Sequence, residues 1–124
     1  MSDYLENALL NHVLRNTALS SPSTVYAALY STVPTDTGGT ELSGNGYSRQ
    51  AATFGAPSGG ACSNSAAVTF TASGGDWGTV QGVGIYDAAT SGNLLFRGAL
   101  ETSKTISNGD SLQFSAGQLQ VSLD

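Results

Sequence analysis

The apolar residues of this 124-residue chain change their period once, at Ser20-Ser21-Pro22, and that change restricts the fold more than any other feature. Before it the period is helical. Leu5, Leu9 and Val13 recur every four residues, Leu10 and Leu14 widen the stripe, and Asp3 with Glu6 supplies an N-cap and first-turn acids. The pattern predicts one amphipathic helix over residues 3–19, ended by a proline that lacks an N–H and disfavours helix in the residue before it. Everything afterwards has period two or turn chemistry, so the chain reads as a helix followed by an all-β body over residues 24–124.

The strands follow from alternation. Thr24 to Thr32 sets Val25, Ala27 and Leu29 on one face and Tyr26, Ala28 and Tyr30 on the other, so both faces are expected to be covered. Pro34 to Gly46 is a long Gly/Thr/Asp loop, Tyr47 to Phe54 is a strand, and Pro57, Gly59 and Gly60 mark a loop or irregular edge. Val68 and Phe70 alternate with Thr69 and Thr71 in a half-buried strand. Trp77 then leads two apolar runs: Thr79 to Asp87, with Val83 and Ile85 inward, and Asn93 to Leu100, with Leu94, Phe96 and Leu100 on one face. The AATSGN loop between them makes this a hairpin. Ile106 starts a further strand edge, Asn108 and Gly109 suit a tight left-handed turn, Leu112 and Phe114 resume alternation, and Gln118 to Asp124 closes the chain. About eight strands at this spacing predict a mainly β, jelly-roll-like antiparallel sandwich.

Composition narrows the function. A length of 124 residues fits a single domain, able to build a core without metal or disulfide. Hydrophobic residues make up 40% but charged residues only 10%, so solubility rests on hydroxyls, amides and backbone, and few long side chains would be immobilised on docking. The net charge of −5 leaves only Arg15, Arg49, Arg97 and Lys104 as scattered bases, which excludes a nucleic-acid interface. The apolar run of the helix is too short to span a bilayer, and the start of the chain lacks a signal-peptide pattern, so synthesis in a cytoplasm without export by that route is expected.

Reactive side chains are sparse. His12 has no second ligand at metal spacing, Cys62 has no partner cysteine, and no strand-to-helix nucleophile motif or phosphate-binding loop occurs. Asp76, Asp87 and Asp110 fall in turns, where they either form the turns or gather as a calcium or sugar site. The chain therefore reads as a non-enzyme with no metal or cofactor. Trp77, Tyr47 and Arg49 are candidate assembly contacts, with Arg49 placed to reach a neighbouring subunit's carboxylate; Trp77 alternatively packs in the core or stacks on a sugar. Leu5, Leu9 and Val13 join that set, because their stripe must be buried either over an open end of the sandwich or against another chain.

The segments NHVLRNTALSSPSTVYAALYSTVPTD, GYSRQAATFGAP, WGTVQGVGIYDAATSGNLLFRGAL and NGDSLQFSAGQLQVSLD resemble, in order and over nearly the whole chain, small virion structural proteins of tailed bacteriophages and prophages. That family is often labelled tail-fibre, and is similar to jelly-roll capsid cement proteins. The resemblance implies a virion component whose partners are the major capsid protein or tail proteins, and which acts as a homodimer or homotrimer. A capsid cement or decoration role is the first expectation. The alternatives are a tail-fibre, baseplate or tail-tip component touching a receptor through loops 34–46, 55–64 and 88–93, and a small carbohydrate-binding domain.

Overall fold

In the computed structural model, which describes residues 1–123, helix α1 (Asp3–Leu14) precedes eight strands. They are β1 (Val25–Tyr30), β2 (Gln50–Ala52), β3 (Ala61–Ser63), β4 (Val68–Thr71), β5 (Gly78–Tyr86), β6 (Leu94–Ile106), β7 (Ser111–Phe114) and β8 (Gln120–Ser122). Every ladder between them is antiparallel. A four-stranded sheet runs in the order β2-β1-β5-β6, and β4–β7 and β3–β8 form two short ladders. The result is sandwich-like, as the alternation predicts, and does not close into a barrel. Ala27, Leu29, Val80 and Ile85 of the large sheet share one core with Val68, Phe70, Leu112 and Phe114 of the β4–β7 ladder.

Both faces of β1 are buried, as its sequence implies: Ala27, Ala28, Leu29 and Tyr30 are each 0% exposed. The outer face is covered by the long loop after β1, which turns back on itself through Ser31 N–H to Thr40 C=O (2.9 Å) and Leu42 N–H to Leu29 C=O (3.0 Å). Two glycines of β5 make room for this cover. A Cβ on Gly84 would lie 2.8 Å from Tyr30 Cε2 and 2.9 Å from Leu94 Cδ1, and one on Gly82 would run into Pro34. The glycines thus let a tyrosine ring and a proline lie flat on the sheet.

Several boundaries differ from the sequence reading. The helix N-cap is Ser2 rather than Asp3: its Oγ accepts the Leu5 N–H at 3.2 Å, and its own N–H donates to Leu95 C=O at 2.9 Å, which ties the helix to β6. The helix stops at Leu14 rather than Leu19, because Asn16 takes a left-handed φ of 54° and the Thr17 N–H folds back to Asn11 C=O. The strand expected over Tyr47 to Phe54 shrinks to Gln50–Ala52, since Tyr47 and Arg49 leave the ladder for a side-chain network. The segment around Cys62, read as a loop or irregular edge, forms β3 against β8, where Gly60 (φ 82°) lies under Leu123 C=O.

The hairpin strand expected to end at Leu100 instead runs on as β6 to Ile106. Val80 faces Lys104 and Gly82 faces Ala99, so two steps along β5 oppose five along β6 and the residues between Ala99 and Lys104 bulge out. The bulge holds Glu101, Thr102 and Ser103, the polar run that interrupts the alternation. It also blunts the open edge of the large sheet against uncontrolled strand pairing. In the turn at 107–110 only Gly109 is left-handed (φ 87°), while Asn108 is not. Of the last strand, Asp124 lies outside the described residues.

Gly84→Ala is expected to destabilise the fold by about 1–3 kcal/mol through overpacking against Tyr30 and Leu94. Leu29→Ala should cost about 2–5 kcal/mol by opening a cavity. Urea unfolding curves measure both.

Candidate functional site

The polar side chains converge on one place. Glu41 lies in the loop that covers β1, and Tyr47 and Arg49 precede β2. Arg49 grips Glu41 with two parallel bonds, Nε to Oε2 and Nη2 to Oε1, both 2.9 Å. Its Nη1 donates to the carbonyls of Ala88 (3.0 Å) and Ser91 (2.7 Å) in the β5–β6 hairpin loop, and its guanidinium lies 3.6 Å from the centre of the Tyr86 ring. Tyr47 Oη donates to Glu41 Oε2 at 2.6 Å and accepts the Leu29 N–H at 3.0 Å. Tyr86 Oη hydrogen-bonds Tyr30 Oη. One guanidinium thus joins the loop, the hairpin tip and the outer face of the sheet.

The ionisation of these groups follows their surroundings. Burial pushes the Glu41 carboxyl up, but hydrogen bonds from Arg49 and Tyr47 and the guanidinium charge outweigh it, leaving the pKa below its ordinary value. Burial, then a hydrogen bond to Tyr86, raises the Tyr30 phenol; burial, then the bond to Glu41, raises that of Tyr47. Both phenols stay neutral. The network holds one charge pair and neutral hydroxyls, with the Arg49 side chain 9% exposed.

The other aromatic candidates pack inward. Trp77 meets the Tyr47 ring edge-on at 5.6 Å and donates Nε1–H to Asn45 C=O at 2.8 Å, while Tyr47 stacks on Phe70 at 6.3 Å. Arg49, read as a reach toward a neighbour's carboxylate, spends its bidentate contact on Glu41 of its own chain. A residue missed in the sequence, Asn64, does comparable work at the opposite ladder. It is buried; Nδ2 donates to Ala66 C=O (2.9 Å), Ser115 C=O (3.1 Å) and Phe114 C=O (3.3 Å), and Oδ1 accepts the Leu119 N–H (2.9 Å). A single asparagine in a Ser/Ala-rich stretch gives no sequence signal of such a role.

The helix is only half engaged. Leu5 is buried and Leu9 half-buried near the anchoring end, but Leu10 is 56%, Val13 71% and Leu14 74% exposed. Its C-terminal half carries an apolar surface that its own sandwich does not cover.

The loop aspartates serve turns. Asp76 Oδ1 accepts the Asn108 N–H (2.7 Å), Asp110 Oδ2 that of Ser107 (2.9 Å), and Asp87 Oδ1 that of Asn93 (2.7 Å). Among the described residues no group of three or more His, Cys, Asp or Glu side chains is placed to hold a metal ion. His12 Nδ1 accepts the Leu19 N–H at 3.3 Å, and among the described residues no helix is long and apolar enough to cross a membrane.

Comparison with known proteins adds the family. The family described as Gp80, Podophage GP4 fiber I protein gp80, matches residues 1–122, and the chain belongs to it. No curated protein matches the chain. The family bears out the phage virion resemblance carried by the sequence segments, on its fibre side.

Arg49→Ala should cost about 3 kcal/mol, the lower end for breaking a buried pair, because Glu41 keeps 25% exposure. Arg49→Lys should recover little of it, lacking the fork that spans Glu41 and both loop carbonyls. The depressed Glu41 pKa adds stability that is full above the ordinary carboxyl value of 4.5, declines as pH falls below it, and is gone once the pH passes the folded value. Urea midpoints measured from pH 7 downward should therefore fall less steeply in Glu41→Gln than in the wild type.

Proposed function

We propose that this member of the podophage fibre family is a structural subunit of the virion that works by rigid presentation and assembly, without catalysis. The observation that carries the reading is the family match over residues 1–122, and the use of the polar side chains agrees with it. The best-formed charged cluster is consumed in holding loops: Arg49 fixes the 88–93 tip and, through Glu41, the end of the 34–46 loop. Loops held in advance lose little entropy when they touch a partner, which suits a surface that contacts a host receptor or an adjoining tail protein.

The capsid-cement role expected from the sequence draws on the same short-side-chained surface and differs in number and place. Hundreds of modest interfaces on a shell gain strength by multivalency; a fibre needs few copies at one site. Quantitative mass spectrometry of purified virions, with the major capsid protein as internal standard, separates the two. The fibre reading predicts a few tens of copies or fewer. Hundreds of copies would move the protein to the shell, and absence from particles would reject a virion role.

A further inference from the structure

We infer that the exposed half of α1 docks into the groove beside β6 on a second copy of this chain, joining copies head to tail. The groove, about 720 Å³, lies between the β5–β6 side of the large sheet and the β7 and β8 segments. Its floor includes the half-buried Phe96, Leu100 and Val121, and Lys104 stands on its rim. The helix supplies a matching surface. Leu10, Val13 and Leu14 fall within about 100° of one another at 100° per residue, and Glu6 lies on the same arc one to two turns nearer the N-terminus. The groove is of mixed polarity, with apolar side chains on its floor and Glu101, Lys104 and Gln118 among its lining, and an amphipathic helix laid with its apolar face on such a floor is an established mode of association.

Charge selects the occupant. Two ion pairs form in the described residues, Arg49–Glu41 and Arg97–Asp36, so the Lys104 ammonium and the Glu6 carboxylate are both unpaired. The exposed helical arc carries acids and no base, and Lys104 is the one groove cation not already held by a carboxylate. Glu101, also on the rim, repels Glu6 and so favours the register that sets Glu6 on Lys104. A second copy supplies both the apolar fit and the charge. Within one chain the helix is tied at its base by Ser2 to Leu95, which leaves its far half free to reach a neighbour. Helix and groove are different surfaces, so the contact is heterologous and builds a ring or a string of copies.

Sedimentation velocity on the full chain tests this, with thermal unfolding of each variant as a control for folding. The wild type should self-associate. Leu14→Glu should weaken association by about tenfold or more, as expected for burying an unpaired charge in an interface, with an unfolding midpoint unchanged at concentrations where both proteins are monomeric because Leu14 is exposed in the single chain. Glu6→Lys and Lys104→Glu should each weaken association, and the double variant should recover it. A wild type that stays monomeric at every concentration reached would overturn the inference. So would an oligomer that survives Leu14→Glu, or a double variant no better than the singles. None of these results bears on the virion copy number, so the fibre reading stands or falls separately.

Discussion

The two-pronged grip of Arg49 on Glu41 is the contact on which the outer half of the molecule depends. A sandwich of short strands holds itself together on its inner side by burying Leu29, Phe70, Val80 and Phe114 in one core. The outer face of β1 has no second sheet, yet Ala28 and Tyr30 are buried there. A loop does that work, and a loop has few apolar groups with which to hold itself down. The guanidinium supplies directional bonds instead: to the carboxylate at the loop's end, to two carbonyls of the hairpin tip, and to the face of Tyr86. Tyr47 completes the cluster by accepting the Leu29 N–H and donating a hydrogen bond to Glu41.

This arrangement explains how a chain with so few charges remains specific. Charged residues are 10% of the sequence, and the two ion pairs among the described residues both tie a loop residue, Glu41 or Asp36, to a base elsewhere in the chain. Asn64 does the same with neutral groups where β4, β7 and β8 meet. A buried polar network is worth keeping only when each member is satisfied, and no buried side-chain nitrogen or oxygen lacks a partner among the described residues. Such a body holds one shape, which agrees with membership of a phage fibre family.

How much of this was legible in the sequence depends on whether the signal was periodic. Val68 and Phe70 alternate with threonines and sit in the core as read, and the two-faced burial of β1 followed from apolar residues at both parities. The bulge in β6 was not legible, because Glu101, Thr102 and Ser103 look like the end of a strand when the partner's register is unknown. The helix end was misread for a similar reason: with Pro22 as the first breaker in the sequence the helix reads on to Leu19, but Asn16 turns left-handed. Arg49 and Tyr47 were singled out as assembly contacts, whereas the structure uses their polar groups within the chain. Their partner, Glu41, sits in a Gly/Thr-rich loop and lacks any local pattern that would mark it.

Hydrogen–deuterium exchange of the free protein tests the account most directly, because it reads whether the loops are held as firmly as the core. If the Arg49 cluster locks them, amides of the β1–loop junction and of the 86–94 hairpin tip should exchange nearly as slowly as the β4–β7 ladder, and should speed up selectively in Arg49→Ala. Fast exchange of those segments in the wild type, at the rate of unprotected loops, would contradict the claim that this network fixes the outer half of the molecule.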